Sequence, residues 1–290
     1  AYDRVFVRFS RGEQRPRVRV ARLFRKGEPP VEATRYGAWG ADFPPLKAGD
    51  VVDWGYRVDD LRPSFFGDYV GLRHHFQDFA LAETLRSEFV LLTPKSRVFR
   101  LHARNTDASP VEVEAPPFLE GYEARRWTVE NLPAVAVEPA MPSPEEFVPE
   151  VQASSYADWD AFTTWWWNLI KDQYDVSDAM RAKLAEILKG KTTDEEKIRA
   201  IYDFVVTDVR YVAWEFGVHG YKPYRASAIF DRRFGDCKDK ALLINSLLSE
   251  IGLKGYPVLI RAEGVRPDED HALALVEHFN HCIAAIPTGD

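Results

Sequence analysis

Two cysteines in 290 residues are too few for a disulfide framework, and the one pairing they allow, Cys237 with Cys282, says nothing firm about compartment. Uninterrupted apolar runs of the roughly 18 residues that a membrane-spanning helix needs are also missing. The chain opens AYDRVFVRFS, which alternates like a strand and has none of the long apolar run of a signal peptide. A surplus of positive charge is absent too: 38 Lys and Arg stand against 45 Asp and Glu, a net charge of -7, which sets nucleic acid aside as a partner. The locally basic run RPRVRVARLFRK does not change this, because Arg17 and Arg19 alternate with Val18 and Val20, the pattern of a strand with one wet face. No internal repeat stands out.

What is present can bury a sizeable core: 46% of residues are hydrophobic and 29% charged. The length favours two domains. Residues 1–138 read as β structure, with strand-like runs at YDRVFVRF, RVRVARLF, DVVDWGYRV, SEFVLLT, RVFRLHA, VEVEA and YEARRWTVE between turn signals such as KGEPP and RNTDASP. Many short strands at near-regular spacing predict a β-sandwich-like domain. The proline-rich EPAMPSPEEFVPE, residues 138–150, reads as an extended linker or strap, with the linker taken over 139–153. From 154 to 290 the period turns helical and then strand-like, the order of an α+β domain.

In YADWDAFTTWWWNLIKDQ, Trp159, Phe162, Trp166 and Leu169 form one helical stripe. Trp165, Trp166 and Trp167 cannot share a face, so packing against a neighbouring element is expected of at least one; a glycan platform is the rival. Further helices are predicted over Ser177 to Lys189, after the capping box formed by Thr193 and Glu196, and around Ala226 to Arg232. KGYPVLIRA and HCIAAIP read as strands.

The stretch RRFGDCKDKALLINSLLSEIG carries the chemistry. Leu242, Leu243, Leu247, Leu248 and Ile251 recur at helical spacing, and Gly252 closes the helix. Asp236 is the natural N-cap, with Asp239 reaching back three residues later, so both aspartates are explained as caps. Cys237 then sits at the first helical position, off the apolar stripe, where unpaired N–H groups favour an anion and should lower its pKa. Gly235 permits a sharp turn and a close approach. A basic partner is still required, because the flanking carboxylates oppose ionisation.

Seven histidines compete for that role. His74, His75 and His102 lie in the β-rich part, and His219 in a loop. His271 and His278 fall in or near a polar segment where solvated side chains are expected. His281 begins the run HCIAAIP, a fixed scaffold position suited to a general base. A zinc site from His271, His278, His281 and Cys282 is disfavoured, because on a strand His278 and His281 would face opposite sides and no second coordinating pair has standard spacing. Cys282 reads as a small buried hydrophobe. Neither a metal nor another cofactor is expected.

The run from RYVAWEFGVHGYKPYRASAIF through GDCKDKA to FNHCIAAIP resembles the transglutaminase-like core, of the bacterial kind preceded by an uncharacterised β-sandwich domain. The resemblance extends upstream through LKAGDVVDWGYRV and WTVENLPAVAVEPAMPS. It implies a papain-like site with Cys237 as nucleophile and His281 as base and acid, and acyl transfer on peptide or protein amides through a thioester. The oxyanion would rest on the Cys237 N–H, aided by Tyr211 or Trp214, either of which could instead be pocket wall. It also implies an exported or membrane-associated bacterial protein. The family's orienting aspartate lies on the strand after the histidine. Asp290, nine residues from His281, would be about 30 Å away along an extended strand, so the acid is expected outside these residues, in a longer parent chain. The rival functional class is a non-catalytic peptide- or protein-binding module on a retained scaffold. Protease or amidase against transamidase, substrate and oligomeric state stay open.

Overall fold

The structure, a computed structural model, describes residues 3–61, 67–78, 81–213, 217–262 and 270–287. The chain divides into two compact units, Ala1–Gly67 and Asp68–Asp290. The expected division near residue 138 and the expected linker over 139–153 both fall inside the second unit.

The first unit is made of β1 (Arg4–Phe6), β2 (Gln14–Phe24), β3 (Val31–Glu32), β4 (Thr34–Tyr36), β5 (Gly40–Asp42) and β6 (Val51–Asp60). They form two three-stranded sheets, ordered β1-β5-β4 and β3-β2-β6. Alternation decides which face of β2 is dry: Ala21 and Leu23 are buried with Ala33, Ala41 and Phe43. The arginines take the wet face, where Arg17 pairs with Asp59 at 3.1 Å and Arg22 with Asp53 at 2.5 Å across the antiparallel β2–β6 ladder.

The second unit begins with β7 (Gly71–His75), β8 (Thr84–Pro94), β9 (Arg100–Arg104), β10 (Val111–Val113), β11 (Tyr122–Leu132) and β12 (Glu150–Ser154). Two more antiparallel sheets result, β10-β11-β8 and β7-β12-β9, with β12 central in the latter. Phe89, Leu91 and Trp127 of the first meet Phe76, Leu101, Val151 and Ala153 of the second in one apolar core. The segment read as a linker thus supplies a central strand.

All five residues of β12 are buried, polar and apolar alike. Val151 and Ala153 enter the sheet core, so period-two alternation turns Glu150, Gln152 and Ser154 to the other face. There Glu150 accepts from Arg73 Nε at 2.5 Å and Nη2 at 3.0 Å. Glu145 receives both Arg73 and Arg261. Burial pushes Glu150 up, but the Arg73 hydrogen bond and charge outweigh it, and the carboxyl is held below its ordinary value.

The helical part follows: α1 (Trp159–Ile170), α2 (Asp178–Ile187), α3 (Asp194–Asp208), β13 (Arg210–Tyr211), α4 (Ala226–Arg232), β14 (Phe234–Gly235), α5 (Cys237–Ser249), β15 (Tyr256–Ile260) and β16 (His281–Ala285). The predicted caps are in place: Ser177 Oγ accepts from Met180 N, and Thr193 and Glu196 form a reciprocal capping box. Helix α5 is the core of this part. Leu242, Leu243, Leu247 and Leu248 are buried among Met180, Ile201, Val205, Ile229 and Phe230. A helix covered on nearly every side has its direction fixed by its neighbours. The three adjacent tryptophans part as their spacing requires: Trp166 is buried, Trp165 lies half-buried near Tyr156 and Tyr221, and Trp167 is exposed beside Tyr174.

The chain is α+β, a strand-rich first part followed by the helix-rich core, as the sequence predicted. Among the described residues no helix is long and apolar enough to cross a membrane.

Glu150→Ala strands the partly buried Arg73 guanidinium with Glu145 alone. It is expected to lower unfolding free energy by about 3–5 kcal/mol, measured by urea denaturation at neutral pH, while Glu150→Gln keeps the shape and loses less.

Candidate active site

Cys237 owes its position to a short parallel pair. Arg210 aligns with Phe234 and Tyr211 with Gly235, so β13 and β14 deliver the chain to the start of α5. Gly235 is required there by a close approach: a Cβ would come 2.6 Å from Asp239 Cβ and 2.8 Å from Asp239 Oδ2. The capping box forms as expected, with Asp236 Oδ1 accepting from Asp239 N at 3.3 Å and Asp239 Oδ2 from Asp236 N at 3.4 Å. Both carboxylates have further partners, Lys238 Nζ on Asp236 and Arg232 Nη2 and Tyr224 N on Asp239. Burial and the charge of Asp236 raise the Asp239 pKa even so. Neither aspartate has an arrangement that offers it to a substrate.

Cys237 is half-buried at the first position of α5, a free thiol. Its pKa moves opposite to the expectation from the helix terminus. Burial pushes the thiol up and Asp236 adds to this, against smaller downward pulls from the Cys282 N–H and from Lys238. The thiolate therefore needs a base at hand.

His281 opens β16, whose antiparallel pairing with β15 sets it opposite Ile260. It is half-buried and lines, with Cys237, a cavity of about 340 Å³ whose walls include Tyr221, Lys238, Phe279 and Cys282. A second cavity of about 290 Å³ is again lined by Cys237 and His281, together with Tyr211, Ile244 and Ile283. The two side chains thus share both recesses. Tyr211 is exposed and Trp214 lies outside the described residues, as does Asp290. Cys282 is buried against Trp166, Ile170 and Ala241, as expected of a small hydrophobe, and burial foremost pushes its thiol up to about 12.

His278 departs from its expected solvated place. It sits on a one-turn 3-10 helix (Val276–His278), not a strand, at 3% exposure, and donates from Nε2 to the Leu273 carbonyl at 3.1 Å. His271 is exposed, its ring 5.2 Å from that of His278. Among the described residues no group of three or more His, Cys, Asp and Glu could hold a metal ion.

The segment before His281 is held by residues to which the sequence reading gave no role at the site. His102 Nε2 meets Asp270 Oδ2 at 2.5 Å, Trp159 Nε1 donates to the His271 carbonyl at 3.0 Å, Ser154 Oγ to the Ala274 carbonyl at 2.6 Å, and Tyr69 Oη to Glu277 Oε2 at 2.6 Å. Nothing in their local sequence marks these partners, which lie 112 to 208 positions apart.

Residues 181–278 match the model of the transglutaminase-like superfamily, and residues 33–136 match DUF3857, a domain of unknown function with a solved structure. The first match contains Cys237 and stops three residues before His281. No curated protein matches the sequence. A crystal structure from Parabacteroides distasonis, provisionally named a protease, superposes with a TM-score of 0.68 at 15% identity, covering 91% of this chain. This chain spans 54% of that protein's length. A provisionally named cysteine protease from Cytophaga hutchinsonii aligns at a TM-score of 0.31 and 12% identity over 75% of this chain and 71% of its own, a likeness too slight to bear on the fold.

Burial, then the charges of Arg73 and His271, push His278 down to about 4. A histidine kept neutral by folding contributes stability fully above its unfolded pKa of about 6.5. That contribution is lost as pH falls from there toward 4, at about 1.4 kcal/mol per unit. His278→Gln is expected to flatten the pH dependence of Tm between pH 6.5 and 4, measured by thermal unfolding across that range.

Proposed function

We propose that the chain is a cysteine-dependent acyl-transfer enzyme of the protease or amidase type, acting on peptide or protein amides through a thioester at Cys237. The observation that carries this reading is that Cys237 and His281 line the same two recesses. The match to the transglutaminase-like superfamily around Cys237 supports it.

His281 takes the thiol proton that burial otherwise retains, and the thiolate attacks the amide carbonyl carbon. Charge on the carbonyl oxygen falls near the Cys237 N–H, which at the first helical position has no intrahelical acceptor. Tyr211, in the wall of the second recess, is proposed to assist; Trp214, the other candidate, lies outside the described residues. The C–N bond breaks as His281 returns the proton to the leaving amine, and the acyl group remains on sulfur. Water entering through the open recess then hydrolyses the thioester, with His281 as base. An amine entering instead would give transamidation.

Iodoacetamide at pH 7 is expected to label Cys237, with labelling abolished in Cys237→Ala and slowed roughly 10²-fold in His281→Ala, the scale of a lost general base. Mass spectrometry of the alkylated peptides checks this. Label carried by Cys282 in both variants would sink the reading.

A further inference from the structure

Strand β12 faces two ways, and its second face bonds the segment that leads to His281. Ser154, at its end, is fully buried and donates to the Ala274 carbonyl at 2.6 Å, while its oxygen accepts from Tyr156 N at 3.1 Å. The single hydroxyl proton is therefore committed to the segment that leads to His281. Tyr69 grips the same segment twice. Its hydroxyl donates to Glu277 Oε2 at 2.6 Å and accepts from the Val276 N–H at 3.1 Å, both ends of one oxygen. The ring is held by stacking on Tyr156 at 4.5 Å. Space has been cleared for this contact: at Gly71, the first residue of β7, a Cβ would come 1.7 Å from Tyr69 Oη and 2.8 Å from Glu277 Oε2.

Between this grip and the histidine there is little slack. Glu277 and His281 are four residues apart, about 13 Å of extended chain. Part of that is drawn in by a turn, with Phe279 N on the Val276 carbonyl at 3.2 Å. Asn280 is tied at both ends, its N–H on the Ile260 carbonyl at 3.1 Å and its Oδ1 accepting from Ala262 N at 2.7 Å. Ala274, Leu275 and Val276 are all buried, so the grip is on a packed segment.

We infer that Tyr69 and Ser154 are positioning residues: through the Ala274–Glu277 segment, the β7-β12-β9 sheet sets His281 against Cys237. The inference rests on the reading of Cys237 and His281 given above. It makes the sheet part of the site, beyond the stretch that matches the transglutaminase-like core. The β15 pairing fixes His281 from its C-terminal side, and Tyr69 and Ser154 fix it from the other.

The test follows iodoacetamide alkylation of Cys237, assigned by mass spectrometry, from pH 5 to 9. Tyr69→Phe removes one oxygen and keeps the ring, and Ser154→Ala removes one hydroxyl. Each is expected to slow alkylation at pH 7 about 10-fold, less than the roughly 10²-fold that a misplacement of about 1 Å can cause. The pH profile should move toward that of His281→Ala. Glu277→Gln, which keeps an oxygen to accept the Tyr69 proton, is expected to retain the wild-type profile, and Glu277→Leu to follow Tyr69→Phe. Glu277 is exposed, so this second pair reports even where the buried variants fail to fold. Wild-type profiles in Tyr69→Phe, Ser154→Ala and Glu277→Leu, while His281→Ala is changed, would overturn the positioning role alone. A wild-type profile in His281→Ala itself would overturn the underlying reading and this inference with it.

Discussion

The segment that leads to His281 is bonded to a strand buried on both faces. Glu150–Ser154 is only five residues long, yet Val151 and Ala153 close the apolar core between two sheets while Glu150, Gln152 and Ser154 point away from it. An unpaired buried polar group costs about 1–3 kcal/mol, and each of the three polar side chains has a partner, although Gln152 is bonded only through Nε2 to Glu150 and its Oε1 has none. Two of the solutions reach toward the helix-rich part: Glu150 through Arg73 into the network that includes Arg261, and Ser154 to the Ala274 carbonyl. These bonds tie the sheet to the chain at Arg261 and at Ala274, ahead of His281. A site that needs a histidine at a fixed place gains rigidity from that tie.

Burial is also what sets the electrostatics of the site. The start of a helix favours a thiolate, but Cys237 is half-buried, stands beside the carboxylate of Asp236 and packs near Trp166, Ile170 and Cys282. Desolvation penalises the charged form more than the nearby N–H groups reward it. The thiol is thereby pushed up and not down. The same physics keeps His278 neutral three residues from His281, so two histidines close in sequence have different environments.

Features governed by a few neighbouring residues were legible in the sequence. The capping boxes of Thr193 with Glu196 and of Asp236 with Asp239 are local by construction, and both form. The short helix over Ala226–Arg232 and the strands around SEFVLLT and YEARRWTVE follow from spacing alone, as does the separation of the three tryptophans. Strands β7 and β12 were missed. EVQAS does alternate, but it is only five residues long and ends a proline-rich run that reads as a linker, and GLRHH has a single large apolar residue to mark a face. The composition shift after residue 138 was visible but marks a change of element type; the compact units divide near residue 67, where chain packing, not composition, decides.

The sequence by itself determined that Cys237 begins a capped helix off its apolar stripe, that His281 begins a strand, and that the chain is strand-rich first and helix-rich afterwards. Short-range hydrogen-bond patterns and side-chain periods suffice for these. Only the tertiary structure decided that the two side chains share their recesses, that the thiol is pushed up and not down, that His278 is buried, and that Tyr69 and Ser154 hold the approach to His281. Each of these turns on desolvation or on contacts between residues far apart in the chain, as in the 208 positions between Tyr69 and Glu277, and neither quantity exists until the chain has folded.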